Sequence, residues 1–237
     1  MKTVSQVMTA LKKKGSPSRI QLLAKHGAPA DKIFGVSVAD MKVIAKQIKG
    51  NHELACELYE TDNGDAMYLA GMVADGSQMS KRLLDQWAKK SNWQMISEYT
   101  IPWMASESKH GRALALAWMD AKKESVASSG WNSYSGIVTV TPDEELDLKE
   151  IKALLKRVEK EIDGAKNRVK YTMNGFVIAV GCYVAPLAKE ARALAKKLGK
   201  VEVEMGGTAC KVPLATETIA KVEKAGRAGK KRKTIKC

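Results

Sequence analysis

Apolar residues recur at three- and four-residue intervals along almost the whole chain, and this spacing constrains the fold more than any other feature. Residues 4–13 place Val4, Val7, Met8 and Leu11 on one stripe, which is the pattern of an amphipathic helix with one buried face. We therefore expect an all-α protein. Further helices of similar length are predicted over 37–49, 52–60, 64–74, 79–89, 92–105, 110–121, 124–139, 144–162, 166–182, 186–198 and 212–225.

Local signals mark some helix ends and one connection. Gly50 follows a helical pattern, as a glycine at a helix C-terminus should, and residues 141–144 (Thr-Pro-Asp-Glu) form a start signal with proline and acids in the first turn. Residues 201–204 alternate like a strand. Because a lone strand has no partner here, we interpret this segment as a connector.

Many short amphipathic helices in close succession favour antiparallel pairs stacked into an α-solenoid of degenerate HEAT-like repeats. A compact helical bundle has the same periodicity and stays the alternative. The 237 residues suffice for one large domain. We predict a single solenoid domain over residues 1–226 and a flexible basic tail over 227–237.

The charge distribution favours a polyanionic partner. The 40 Lys and Arg residues outnumber the 26 Asp and Glu residues, giving a net charge of +14, and such a surplus favours DNA, RNA or anionic membrane. Eight basic residues and one acidic residue lie from Lys221 onward, so the last 17 residues carry half of the surplus. We expect the tail to bind polyanions without sequence preference, through Lys230, Lys231, Arg232 and Lys233.

Several functional classes lack their sequence signals. The four cysteines and three histidines have no metal-ligand spacing, and no glycine-rich nucleotide loop is present. The N-terminus lacks the apolar core of a secretory leader, and no apolar run is long enough to span a membrane. We expect a cytoplasmic monomer without a cofactor or bound metal, and without a membrane partner.

Four local patterns, in order along the chain, resemble one known family. They are residues 33–46 (IFGVSVADMKVIAK), residues 58–62 followed by 66–70, Trp87-Ala with Asn92-Trp93, and Trp118 followed by residues 132–138. Their order and spacing resemble the AlkD-like DNA alkylation repair family, a group of HEAT-like repeat DNA glycosylases. The resemblance implies an α-solenoid that binds duplex DNA, damaged or distorted, and removes N3- or N7-alkylated purines.

The resemblance also implies roles for individual residues. Trp93 matches the family's first conserved tryptophan, and Phe176 matches a later aromatic residue. Ser97 stands where the family has its catalytic aspartate, and Tyr134 stands near its phosphate-binding arginine. Glu98 is adjacent to Ser97, but one residue along a helix is a rotation of about 100°, so Glu98 points elsewhere unless the helix is shifted.

These replacements bear directly on catalysis. Cleavage of a glycosidic bond passes through a cationic transition state that a carboxylate stabilises, and aromatic faces stabilise the same charge. Trp93, Trp103, Trp131, Tyr134 and Phe176 are the aromatic residues available for such a site. A serine at position 97 cannot neutralise a cation, so it predicts a large loss of rate unless Glu98 or Glu107 takes its place.

Two further clusters are candidates for contacts with DNA. Arg168, Lys170 and Asn174 surround Tyr171 in sequence and combine two cations with an amide, a set that binds phosphates or sugars. Lys211 follows two glycines at a predicted helix start, where backbone amides bind anions. A polar helix face and a simple turn are the structural alternatives for these two clusters.

Three functions remain open from sequence. The chain is a glycosylase for alkylated purines, a non-catalytic binder of damaged or branched DNA, or a helical scaffold for an acidic protein. The first follows from the resemblance, and the second follows from Ser97 and Tyr134 at the positions where catalysis requires other groups.

Overall fold

The computed structural model describes residues 1–236, and within them no β-strand is present, which confirms the all-α class. A π-helical turn, Ile96–Thr100, leads directly into the seventh helix. The α-helices are α1 (Val4–Lys14), α2 (Pro17–Lys25), α3 (Val38–Gln47), α4 (His52–Glu60), α5 (Gly64–Val73), α6 (Lys81–Lys90), α7 (Ile101–Glu107), α8 (Gly111–Met119), α9 (Glu124–Val140), α10 (Leu148–Glu161), α11 (Asn167–Tyr183), α12 (Ala188–Leu198) and α13 (Ala215–Lys224).

Two helix starts differ from the sequence prediction. Helix α2 was not predicted because its apolar contact is small. None of its residues is fully buried, and Ile20 and Leu23 pack partly against the core, although Pro17 at its first turn is a start signal. Residues 141–144 do not begin α10. They lead into a short 3-10 turn, and α10 starts at Leu148, where the Asp147 carboxylate accepts the Glu150 N–H at 3.0 Å.

The helices form two layers. The inner layer contains α3, α5, α7, α9, α11 and α13, and each of these packs against its neighbours in that order. Outer helices α4, α8 and α12 pack on α5, α9 and α11. The inner helices are covered on several sides, and all eight residues from Gly64 to Gly71 in α5 are buried, which explains why this helix is apolar around its whole circumference.

The core extends along the stack. One apolar cluster runs from α1 to α9 and includes Leu114 and Trp118, and a second runs from α8 to α13 and includes Ala115 and Met119. The two clusters meet at α8 and α9. This is the packing of a repeat protein, in which each unit contacts mainly its neighbours.

Three lysines each donate to a backbone carbonyl 30 to 44 residues earlier in the chain and so connect neighbouring parts of the helical stack. Lys90 Nζ donates to the Glu60 carbonyl at 3.2 Å, Lys123 Nζ donates to the Lys89 carbonyl at 2.6 Å, and Lys166 Nζ donates to the Lys122 carbonyl. Each carbonyl lies at or just beyond the C-terminal end of an outer helix, where the backbone oxygens lack partners within the helix. A cation is favoured there by the helix dipole.

Asp65 fixes the approach to α3. Its buried carboxylate accepts the backbone N–H groups of Phe34, Gly35 and Val36 at 2.6, 3.0 and 3.3 Å. Gly35 has a φ of +74°, a conformation that side chains rarely adopt. Because Asp65 lies in the first turn of α5, this contact places the start of α3 beside the start of α5.

The basic C-terminal segment is packed, so the prediction of a flexible tail is wrong for residues 229–236; residue 237 lies outside the described part. We call residues 229–236 the C-terminal strap. Its Gly229 N–H donates to the Cys182 carbonyl at 2.8 Å and its Arg232 N–H donates to the Thr139 carbonyl at 2.9 Å. Lys236 Nζ donates to the Ala74 carbonyl at 2.7 Å and pairs with Glu107 at 2.8 Å.

These contacts define two edges of the inner layer. The strap contacts the C-terminal ends of α11, α9, α7 and α5 in turn, so these four helices point the same way. We call this side the C-terminal edge and the opposite side, where the same helices begin, the N-terminal edge. The 17 residues of α9 separate the edges by about 25 Å at 1.5 Å per residue.

Candidate nucleic-acid interface

Two clefts open at the N-terminal edge, one on each side of Trp93. We call the first the serine cleft; it has a volume of about 400 Å³. The second, the tyrosine cleft, has a volume of about 410 Å³. His26, Trp93, Gln94 and Arg168 line both. The serine cleft is completed by Gly27, Ser91, Asn92, Ser97, Lys123, Glu124, Ser125 and Ser128, and the tyrosine cleft by Leu23, Met95, Glu98, Tyr99, Tyr171, Met205, Cys210 and Lys211.

Trp93 forms a rigid wall between the clefts. Only 5% of its surface is exposed, and its indole Nε1 donates to the His26 carbonyl at 3.1 Å. The hydrogen bond fixes the ring plane against the end of α2. Trp93 therefore lines both clefts as a nearly buried side chain with little exposed surface.

The π-helical turn after Trp93 brings Ser97 and Glu98 to different clefts. The Ile101 N–H bonds to the Ile96 carbonyl, an i→i+5 bond that widens the turn; such turns are frequent at functional sites. Ser97 lines the serine cleft, and Glu98 lines the tyrosine cleft. The π turn is the helix shift that Glu98 needs in order to reach a cleft beside Trp93.

Glu98 and Arg168 form an almost fully buried ion pair. Arg168 Nε and Nη2 donate to the two Glu98 carboxylate oxygens at 2.7 and 2.5 Å, and the exposed fractions of the two side chains are 3% and 15%. This parallel two-bond geometry is the strongest form of the arginine–carboxylate interaction. Burial raises the pKa of Glu98, and the hydrogen bonds and charge of Arg168 oppose that rise.

The rest of the Arg168 guanidinium is also held in place. It lies 4.2 Å from the centre of the Tyr171 ring, a cation–π contact, and its Nη1 donates to Met205 Sδ at 3.6 Å. The Arg168 backbone N–H donates to Glu124 at 2.8 Å. Arg168 thus connects the π turn, α9, α11 and the connector after α12.

The serine cleft offers polar atoms without partners. Ser125 Oγ and Asn92 Oδ1 are buried and make no hydrogen bond among residues 1–236. Lys123 also lines this cleft, and its Nζ donates to the Ser91 carbonyl at 3.3 Å. Sequence reasoning missed Asn92, Lys123, Glu124 and Ser125; the signal that could have found them is the Lys-Glu-Ser run at the predicted start of the helix at 124.

Four of the aromatic residues predicted for the site lie in the core instead, among them Trp103, which is 2% exposed. Trp131, Tyr134 and Phe176 are 0%, 1% and 0% exposed, and their ring centres lie 5.5 Å apart for Trp131–Phe176 and 5.9 Å apart for Tyr134–Phe176. The reason is that α9 and α11 face each other across these positions. Tyr134 reaches Glu150 through its hydroxyl and stabilises packing rather than a ligand.

The predicted cluster around Tyr171 is also divided. Lys170 lies two residues from Arg168, which is a rotation of about 200° on a helix, and it lines a separate cleft with Glu159 and Asp163. Asn174 is 1% exposed and its Nδ2 donates to the Pro213 carbonyl at 2.9 Å. Arg168 and Tyr171 of this cluster line the tyrosine cleft, whereas Lys170 and Asn174 line neither cleft beside Trp93.

The remaining predicted cations lie on opposite edges. Lys211 is exposed and lines the tyrosine cleft, as expected for a DNA contact. Residues 230–233 belong to the strap on the C-terminal edge, so they do not contribute to this site. Lys231 is paired with Asp143 at 2.7 Å, whereas Lys230, Arg232 and Lys233 are exposed.

Two other features are absent from residues 1–236. No group of three His, Cys, Asp or Glu side chains is arranged to hold a metal ion. No single helix is long and apolar enough to cross a membrane; α11 and the segment Ala185–Leu198 meet the criteria of length and composition only together, across a bend of 112°.

The comparisons with known proteins agree with this architecture. A solved structure with a TM-score of 0.88 and 34% identity covers 99% of this chain and 100% of its own. It is described as a new family of proteins related to the HEAT-like repeat DNA glycosylases with affinity for branched DNA structures. The match confirms the predicted HEAT-like α-solenoid.

Sequence relatives and the family model extend the match. A protein of Listeria innocua and one of Listeria monocytogenes, both uncharacterized, are each 33% identical over 232 residues, covering 95% of this chain and 98% of theirs. Residues 7–197 match the model of the DNA alkylation repair enzyme family. The chain therefore belongs to the DNA alkylation repair enzyme family.

Proposed function

We propose that this protein binds branched DNA at its N-terminal edge and does not excise bases. Membership of the DNA alkylation repair family and the branched-DNA affinity described for the similar solved structure support the choice of ligand. The observation that carries the proposal is the Glu98–Arg168 ion pair, because it occupies the carboxylate that catalysis would need.

A glycosylase must present a carboxylate to the developing positive charge on the sugar. At position 97 the chain has a neutral serine. Glu98 is buried and bound by two hydrogen bonds to Arg168, so its charge is already neutralised. The Glu124 carboxylate accepts the Arg168 N–H in the first turn of α11. This bond stabilises the start of the helix and leaves the carboxylate poorly placed for chemistry.

The N-terminal edge suits a phosphate backbone. Helices α9 and α11 both begin there, and the positive ends of their dipoles favour anions. Lys123 and Lys211 are exposed beside the clefts and add positive charge there. Contacts of this kind bind DNA without reading its sequence, which is appropriate for a protein that recognises a branched shape.

The second candidate is excision of N3- or N7-alkylated purines. It is favoured by one observation: Glu124 and the unpartnered Ser125 hydroxyl line the same cleft as Trp93. A bound substrate that displaced Glu124 from α11 would bring a carboxylate to the sugar.

Fluorescence anisotropy with two DNA molecules tests the proposal. One is a four-way junction and the other is a linear duplex of the same length and base composition. We expect tighter binding of the junction, with affinity falling linearly on a logarithmic salt scale. Equal affinity for both would refute the branched-DNA proposal, and release of methylated purine above the spontaneous rate would favour the second candidate.

A further inference from the structure

A second basic surface lies on the C-terminal edge, away from the clefts beside Trp93. Lys42, Lys46 and Lys49 are exposed on α3 and just beyond it, at intervals of four and three residues, so they project from one face. They line a cleft of about 640 Å³ together with Lys236, the last described residue of the strap. Within residues 1–236 no carboxylate pairs with these three lysines.

The strap continues this surface along the edge. Its Lys230, Arg232 and Lys233 are exposed and have no carboxylate partner among the described residues. The backbone contacts of Gly229 and Arg232 with α11 and α9 hold the strap against the helix ends. Six unpaired cations thus follow one edge of the solenoid.

The acidic groups of this region are already engaged. Glu107 accepts the Gly76 N–H at 3.1 Å and pairs with Lys236. Asp75 accepts hydrogen bonds from Ser77 and Gln78, and Asp143 pairs with Lys231. The six cations are therefore in excess of what the helix ends and local carboxylates require.

We propose that the C-terminal edge binds a second duplex arm of a branched DNA molecule; this rests on the proposed function. The two edges are about 25 Å apart, so a straight duplex bound beside Trp93 does not also follow the opposite edge. A junction sends arms in different directions and reaches both. The second site would thereby convert general DNA affinity into a preference for branches.

The test compares two charge-reversed proteins. The edge variant carries Lys42→Glu, Lys46→Glu and Lys49→Glu. The control carries the same net change in the second halves of α10 and α12, away from the C-terminal edge, through the exposed residues Lys156, Lys160 and Lys196. Both are measured against the four-way junction and the linear duplex, and circular dichroism checks folding. If the glutamate variant fails to fold, a variant with glutamine at the same three edge positions is measured in its place.

For the edge variant we expect the junction affinity to fall at least about tenfold and the junction salt slope to fall by about three, one for each lost phosphate contact. Its linear-duplex affinity should change less than about twofold, as should both affinities of the control. An equal loss on both DNAs, or no loss on either, overturns the inference, and no loss points to another ligand such as an acidic protein. Wild-type protein without junction preference overturns the proposed function itself, and this inference with it.

Discussion

Replacing Arg168 with methionine tests whether the buried ion pair holds the site together. Methionine approximates the apolar part of the arginine side chain but leaves the Glu98 carboxylate, which is 3% exposed, without a counter-charge. The two hydrogen bonds to that carboxylate are lost, and so is the contact with Tyr171.

The expected cost follows from the burial of the pair. Removing one partner of a buried ion pair destabilises a protein by roughly 3–5 kcal/mol, because the remaining charge is uncompensated. The Arg168 side chain is 15% exposed, so water reaches the site in part. We therefore expect a loss of about 3 kcal/mol in the free energy of unfolding at pH 7.5.

The loss should depend on pH in a defined direction. Without Arg168, burial raises the pKa of Glu98 further above its unfolded value, so the folded variant binds a proton that the unfolded chain releases. Stability of Arg168→Met relative to wild type therefore improves as pH falls from 7.5 toward 5, by at most about 1.4 kcal/mol per pH unit. The deficit is greatest above the raised pKa.

Urea unfolding of four proteins between pH 5 and 8 measures these effects. Glu98→Gln in the Arg168→Met background removes the uncompensated charge and should recover about half of the loss. Lys197→Met breaks an exposed pair with Glu159, whose side chains are 68% and 39% exposed, and should cost under about 1 kcal/mol. A loss below about 1 kcal/mol for Arg168→Met, with no recovery in the double variant, would refute the reasoning.

Three more outcomes are expected. Asp65→Ala leaves three buried N–H groups without an acceptor and should lower the free energy of unfolding by about 3 kcal/mol in urea; a change below about 1 kcal/mol would show that water replaces the carboxylate. A chain ending at Arg227 loses the packing of Ile235 and the strap's bonds to helix ends, and calorimetry should give a Tm roughly 5–10 °C lower; an unchanged Tm would mean that the strap adds no stability. Lys211→Met should reduce the salt slope for DNA binding by about one, whereas an unaltered slope would exclude Lys211 from the interface.

The spacing of apolar residues predicted most of the helices, because the positions that each helix buries carry apolar side chains. The stripe in residues 4–13 and the pattern over 52–60 correspond to α1 and α4 almost to the residue. Helix α2 was not predicted because it fully buries none of its residues, and Ile20 and Leu23 pack only partly against the core. The π turn at 96–100 was not predicted, because an i→i+5 bond leaves no signature in the spacing of apolar residues. This turn nevertheless determines where Glu98 points.

The candidate site was predictable only in part. Family resemblance selected Trp93 and Ser97, and both residues line a cleft. It did not distinguish aromatic residues that wall a site from those that fill a core, because Trp131 and Phe176 have the same spacing in either role. The partner of Glu98 lies 70 residues away in sequence, and no local pattern identifies such a pair.

Net charge indicates a class of partner, but it does not locate the surface that binds it. The most basic segment of the sequence is the strap, and two of its lysines, Lys231 and Lys236, bond to helix-end carbonyls and carboxylates. That arrangement offsets the negative dipole ends that gather on the C-terminal edge. The N-terminal edge gains positive potential from the helix termini themselves, which no count of residues reveals. A basic tail can therefore stabilise the fold at one edge while the helix N-termini at the other edge favour anions. The cations that helix-end carbonyls and carboxylates do not engage are the ones available to a second DNA arm.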